Sequence, residues 1–480
     1  MVLPDAGKPS WPSLLGTGGN DGRLDFTYNA MKRLVDLFDF GSADGHPRAM
    51  ASGLLAQALW RRPSNEFVTD APIGQFLPGG AGGANSTTGP SGDTYVNPWD
   101  FLLMLEGSIL FSARSTRRLD PGAMARASAP FAVRGHAAGN ATAGREETKK
   151  GEQWMPLWSQ PATIPALQAM LGEARIQLGR QLADRPVDAA RALSRLGMAR
   201  GISSFQRFAY LQRYGDNNFA VPLGRINVQA RPVARIIDDI ANWLDRLHRL
   251  AAGDRAPARL VSAENQLANA VFAALTHDND SSLWQGVLLA AASVEALQAT
   301  GTAIKAGPIP ALSPNWLLAA DDGTVEWRLA RALGSAAAGY DSSGRAIDPI
   351  RHHWLPLQPG SRRFLESDGR LMRDPRVIIA GRDAVADCVA LVARRLIEGA
   401  QSGQRRLALV AAKGCAAGPS DLAQLVAGKV DLVRVSGLAR ALMAVRWDQW
   451  RAPSEGVPEG RPPSPDQAWM VLRLAALQLD

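Results

Sequence analysis

Between Val233 and Leu250 the apolar residues fall at 233, 236, 237, 240, 243, 244, 247 and 250, and Gly253 follows. Three-four spacing held over about five turns fits a helix with one buried stripe, closed by a glycine stop, and little else. Similar patterns recur at 26–40, 46–61, 98–119, 187–213, 259–277, 283–300, 324–337, 382–399, 420–446 and 466–478. Alternation with β-branched residues at 218–229, beside a short apolar run at 130–134, predicts a strand pair. Trp154–Pro161 reads as an extended, aromatic-rich connection. The expected fold is therefore mostly α with a small β component, and its C-terminal half is a helical bundle.

Breakers divide this helical chain. Pro78 to Asp93 is rich in glycine and serine and reads as a mobile loop, and a second polar loop spans Gly135–Gly151. At 480 residues the chain is long enough for two or three domains. We expect a glycine-turn and buried-helix unit over 1–135, a mixed unit that turns helical over 152–255, and a bundle-like unit over 256–480. Ala452 to Pro465 reads as a linker or long loop.

A hydrophobic share of 46% supports real cores and excludes global disorder. The formal charge of +8 favours an anionic partner, nucleic acid first. Only seven of the cations are lysines. Arginine suits bidentate phosphate contact, although a GC-rich genome produces the same bias. Two cysteines, Cys388 and Cys415, are too few for a disulfide framework or a zinc site, and both are expected to be small buried side chains. No leader pattern opens the sequence, and the apolar run Phe101–Phe111 is about half a membrane span. These features predict a cytoplasmic protein without a membrane partner.

Chemistry-bearing patterns are few. The six histidines are scattered, and only His352 and His353 adjoin. Adjacent histidines diverge on a helix or strand and seldom share a metal. His277-Asp278-Asn279-Asp280 superficially resembles a phosphohydrolase ligand pair but lacks its second cluster. No catalytic residue, metal ligand or cofactor is therefore assigned.

Binding features are clearer. Gly16-Thr-Gly-Gly-Asn-Asp-Gly-Arg-Leu-Asp-Phe-Thr27 is a polar, backbone-exposing turn that leads into a helix whose apolar stripe is Phe26, Met31, Leu34, Val35 and Phe38. It meets neither the NTPase nor the dinucleotide loop pattern. The apolar helix 98–119 is expected to be buried, so Glu106 within it needs a cationic partner, Arg23 or Arg114. If Asp21 and Glu106 orient Arg23, its guanidinium and Asn20 are set for a phosphate or base edge. Arg117 and Arg118 end the same helix. On the expected helix 187–213, Arg200 and Arg207 share a face with Ser203 and Ser204, and are candidates for neighbouring phosphates. A solvated basic face accounts for the same pattern.

The glycine turn and Asn97-Pro-Trp-Asp-Phe-Leu-Leu-Met-Leu-Glu-Gly-Ser-Ile-Leu-Phe111 together resemble the large subunit of the type I-G (formerly I-U) CRISPR Cascade surveillance complex. Further motifs agree in order: Gly151-Glu-Gln-Trp-Met-Pro-Leu-Trp-Ser-Gln-Pro161, Arg200-Gly-Ile-Ser-Ser-Phe-Gln-Arg-Phe208 and Phe219-Ala-Val-Pro-Leu-Gly-Arg225. Ala320-Asp-Asp-Gly-Thr-Val-Glu-Trp-Arg-Leu-Ala330 and Val435-Ser-Gly-Leu-Ala-Arg-Ala-Leu442 complete the set. The resemblance runs from about residue 3 to the end. Members of that family carry a further N-terminal segment and a longer C-terminal tail, so a truncated or split version is expected.

The resemblance implies a non-catalytic subunit that binds guide RNA and target DNA. It implies contact with backbone and repeat-RNA-processing subunits, aid in reading the motif beside the target and in R-loop formation, and recruitment of a helicase–nuclease. Two alternatives stand beside it: a metal-dependent phosphohydrolase or nuclease, and a purely structural scaffold subunit.

Overall fold

The computed structural model describes residues 3–5, 8–10, 25–41, 44–64, 68–72, 93–111, 114–116, 126–128, 130–133, 151–172, 177–178, 181–183, 185–196, 201–212, 218–253, 255–277, 280–358, 360–378, 384–403 and 409–452. The chain is mostly α with a small β component, as expected, and its contacts divide it into two units, Met1–Ala230 and Arg231–Asp480. That boundary cuts the unit expected at 152–255. Most of the loop 78–93 and all of the helix expected at 466–478 lie outside the described residues.

In the first unit, helices α1 (Asp25–Leu37), α2 (Ala51–Trp60) and α3 (Pro98–Leu110) share a small core around Leu37, Ala51 and Leu54. Met31 and Val35 of the expected apolar stripe are exposed, and Leu37 is buried instead. The Asn97-Pro98-Trp99 start of α3 explains the docking. Asn97 caps the helix by accepting from the Trp99 amide at 3.0 Å, while its Nδ2 donates to the Leu54 carbonyl at 2.8 Å. Trp99 Nε1 donates to the Ala51 carbonyl at 2.9 Å. α3 ends at Leu110, short of the expected 119, and a short strand follows at Arg114–Thr116.

After α4 (Ile164–Gly172) and α5 (Pro186–Leu196), the 187–213 pattern departs from expectation. It splits into α5 and a long strand, with Gly201 at φ +75° before the strand starts. A four-stranded antiparallel sheet results from β1 (Ala132–Val133), β2 (Glu152–Trp158), β3 (Ile202–Gln212) and β4 (Asn218–Asn227), in the order β4-β3-β2-β1. The segments predicted to pair, 130–134 and 218–229, share this sheet but are separated by two strands. The register shifts between β2 and β3 at Leu157/Trp158, where Ser203 is the extra residue of β3, and between β3 and β4 at Arg207/Phe208, where Leu223 is the extra residue of β4. Opposite Arg207 lies Gly224 at φ +115°, a backbone state that favours glycine. Pro222 is tolerated because β4 is an edge strand.

The second unit is helical. Its helices are α6 (Asp238–Ala251), α7 (Ala258–Thr276), α8 (Ser281–Gln298), α9 (Asn315–Ala319), α10 (Val325–Gly334), α11 (Ala384–Ser402), α12 (Pro419–Val426) and α13 (Leu432–Leu442). The predicted stripe of α6 is buried at Ile240, Trp243, Leu244 and Leu247, after a tight 3-10 entry at Pro232–Ile237. α7 and α8 form a hairpin, and α13 packs against both α8 and α10. Two small ribbons join them: β5 (Ala337–Tyr340) with β6 (Ala346–Pro349), and β7 (Glu366–Ser367) with β8 (Arg370–Leu371). No helix among the described residues is long and apolar enough to cross a membrane.

Candidate nucleic-acid interface

Several residues singled out in the sequence cannot be placed. Asn20, Asp21, Arg23, Arg117, Arg118 and Arg200 lie outside the described residues, and so does the side chain of Arg114. Glu106 is corrected. It is exposed on α3, because the flanking residues 101–105 are only half-buried. An exposed carboxylate is solvated by water and needs no buried arginine, so the reason for a Glu106 ion pair falls away. Cys388 is exposed as well, on α11, while Cys415 is buried as expected.

Arg207 is also corrected. It lies inside the sheet unit, 3% exposed, and not on a solvated helix face. Its Nη2 and Nε donate to the two carboxylate oxygens of Glu152 at 2.6 and 2.9 Å. Trp154 Nε1 donates to Glu152 Oε2 at 2.7 Å, and the Arg207 guanidinium sits 5.4 Å from the Trp154 ring centroid. The register explains the cluster, since Trp154 faces Arg207 and Glu152 faces Ala209 across β2 and β3. Phe205, two residues before Arg207 on the same face, packs edge-on to Phe131 at 5.1 Å. The Gly151–Pro161 and Arg200–Phe208 motifs therefore meet in a buried, bidentate ion pair. This node holds strands together and is closed to a phosphate.

Two motifs of the second unit serve the fold in a similar way. In Ala320–Ala330, Asp322 Oδ1 accepts from the amide and hydroxyl of Thr324 at 3.1 and 2.7 Å, and Thr324 caps α10. Arg328 then forks onto buried Asp421 at the start of α12. In Val435–Leu442, Gly437 faces Leu289 of α8 so closely that a Cβ would stand 2.7 Å from Leu289 Cδ2. His277 and Asp280 are equally structural. The His277 ring Nδ1 lies 3.1 Å from the Ala273 carbonyl, and Asp280 caps α8 through the Ser282 amide at 2.8 Å.

An open cationic surface lies elsewhere, on residues that no motif marks. Arg246 and Arg249 project from α6, Arg255 from the following turn, Arg259 from the first turn of α7 and Lys305 from the 302–306 turn; all five are exposed. Arg246 Nε donates to the Ala306 carbonyl at 2.9 Å, and Arg259 Nη2 to the Thr302 hydroxyl at 2.7 Å. Both arginines thus anchor on one turn, with Lys305 between the anchoring points. None of the five forms an ion pair with a described carboxylate. The usable signal was spacing: Arg246 and Arg249 lie three apart on the polar side of the helix with the clearest stripe.

A cavity of about 1000 Å³ opens in the same unit beside Trp354, Arg370, Arg373, Arg440 and Glu295. Arg440 stacks 5.1 Å from the Trp354 ring centroid. Glu295 beneath it is fully buried, and that burial raises its carboxyl above the ordinary range despite the opposing pull of Arg351 and the Ile309 amide. The lining mixes both signs, whereas the five cations of the 246–305 surface have no described carboxylate paired with them.

No protein-family model matches the sequence, and no curated protein shows significant similarity to it.

Proposed function

We propose that this chain is a non-catalytic, nucleic-acid-binding large subunit of a type I CRISPR effector complex. One observation carries the binding part: Arg246, Arg259 and Lys305 meet at a single turn of the second unit, Arg249 and Arg255 are exposed on the same α6–α7 segment, and none of the five pairs with a described carboxylate. Backbone phosphates are the chemistry such a surface fits, because it offers several exposed guanidinium donors. The ordered motifs supply the assignment to the complex. Target reading then belongs to guide RNA–DNA pairing, and this chain positions strands, aids recognition of the flanking motif and docks the helicase–nuclease.

The test is a salt titration of single-stranded DNA binding. Changing Arg246, Arg249, Arg255, Arg259 and Lys305 together to glutamine should weaken binding for every sequence tried. The slope of log affinity against log salt should fall by about three units if all five meet phosphates. An affinity and slope equal to the parent's would overturn this assignment and leave the scaffold reading in its place. Cleavage that needs magnesium or manganese and follows the purified chain would instead favour an enzyme.

A further inference from the structure

We propose that Asp348, His353 and Glu398 bind one divalent transition-metal ion of the zinc type, in competition with the side chain of Arg395. The three residues come from different elements: Asp348 from β6, His353 from the 3-10 turn Ile350–His353, and Glu398 from α11. One ligand atom from each lies within 4.8 Å of the other two.

The imidazole points to the ligand. His353 is 1% exposed. Its Nδ1 lies 3.1 Å from the Arg376 carbonyl, an acceptor only, so Nδ1 carries a proton whether the ring is neutral or charged, and Nε2 is the nitrogen whose lone pair a metal can take once it is deprotonated. Nε2 is buried without a hydrogen-bond partner, and Asp348 Oδ2 stands 3.7 Å away, too far for a hydrogen bond. A buried ring nitrogen without a hydrogen-bond partner is costly. A backbone carbonyl on one ring nitrogen, with the other turned toward carboxylates, is how proteins orient a metal-binding histidine. The second carboxylate is similarly supported. Arg394 Nε holds Glu398 Oε1 at 2.7 Å, which turns Oε2 toward the cluster.

Arg395 is the competing explanation. Its Nη1 bonds Asp348 Oδ2 and lies 3.6 Å from Glu398 Oε2. That pairing accounts for the two carboxylates. It leaves His353 Nε2 with no closer polar neighbour than Asp348 Oδ2 at 3.7 Å, and it leaves Arg395 Nε buried without a hydrogen-bond partner too. A divalent ion satisfies all three ligands at once and frees the guanidinium. Zinc bonds of about 2.0–2.1 Å require the ligand atoms to close to roughly 3.3 Å of one another. Side-chain rotation of Asp348 and Glu398, both partly exposed, supplies that movement. One imidazole with two carboxylates selects zinc or cobalt over magnesium or calcium. His352 is no part of the set: its Nδ1 approaches the other Asp348 oxygen, Oδ1, at 4.0 Å.

The experiment uses the full chain, stripped with a chelator, at mildly alkaline pH. Zinc binding is followed by calorimetry and cobalt binding by visible absorption. The parent should take up one equivalent at micromolar metal, with the cobalt bands of a four-coordinate site. Glu398→Gln and His353→Ala should each weaken binding at least about tenfold, and Arg395→Gln should tighten it. The partly exposed Glu398 keeps the test usable if His353→Ala fails to fold. The proposal is overturned if folded Arg395→Gln protein takes up no equivalent of zinc or cobalt. Parent-like affinity in folded His353→Ala or Glu398→Gln protein overturns it as well, because uptake then lies elsewhere, for example at exposed Cys388. None of these outcomes depends on nucleic-acid binding.

Discussion

Glu152 is worth more to this fold than its single charge suggests, because three hydrogen bonds from two side chains converge on it. Its carboxylate takes two bonds from Arg207 and one from Trp154, with no water to replace them. Glu152→Ala strands the Arg207 guanidinium in the protein interior, and should cost about 3–5 kcal/mol in denaturant unfolding. The paired change Glu152→Leu with Arg207→Met removes both charges and should recover most of that loss. If the single and paired variants unfold alike, the pair is not acting as a buried unit. Asp374 makes a prediction in pH. The Arg376 fork holds its carboxyl below the ordinary value of 3.8, outweighing the opposing effect of burial. A depressed carboxyl contributes stability that is fully present above the unfolded value and is lost as pH falls through the lower folded value. The melting difference between parent and Asp374→Asn should therefore be flat at neutral pH and shrink below about pH 4. A difference that holds constant into strong acid would show that the carboxylate charge is irrelevant.

At the scale of elements, close helix packing can be tested at one atom. Gly334 ends α10 where a Cβ would meet Leu442 Cβ at 2.7 Å and the Ala439 carbonyl at 3.1 Å, both on α13. Those atoms belong to backbone or to the root of a side chain and cannot swing away. Gly334→Ala should thus destabilise the protein by about 1–3 kcal/mol, although alanine is the better helix former. A neutral or raised melting temperature would mean that α10 and α13 are not held this close. The same elements show what the sequence made legible. α6, α7, α8 and α10 appear within a few residues of expectation because one wet and one dry face leave a 3.6-residue period. The strand 202–212 was hidden because Ile202, Phe205 and Ala209 satisfy that period by chance. The stronger cue was Phe205, Arg207, Ala209 and Leu211 alternating with Phe208 and Tyr210, an aromatic-rich two-residue period after Gly201. Burial of Glu106 was inferred from hydrophobic neighbours alone, and local sequence does not say which helix face finds a partner. The Glu152–Arg207 pair joins residues 55 apart, a separation that no periodicity reports.

For the whole molecule the question is whether +8 of charge acts as a general field or through one surface. Much of the arginine is already committed: Arg207 to Glu152, Arg351 to Glu295 and Arg328 to Asp421 are ion pairs within the fold. Paired cations release few counterions from nucleic acid, so composition overstates the charge available for binding. On the 246–305 surface Arg246 and Arg259 bond only neutral acceptors, and none of the five cations pairs with a described carboxylate. A charge-matched control separates the two possibilities: Arg61, Arg62, Arg345, Arg363 and Lys429, all exposed and scattered, are changed together to glutamine. It removes the same formal charge as the five changes on α6, α7 and the 302–306 turn. If that surface holds the strand, the control should keep most of its affinity and lose less than about one unit of salt slope, against about three for the surface variant. Binding that falls equally in both variants would mean attraction by net charge alone. In that case the cations of α6, α7 and the 302–306 turn would have no special part in holding nucleic acid, and the binding half of the proposed function would fail with it.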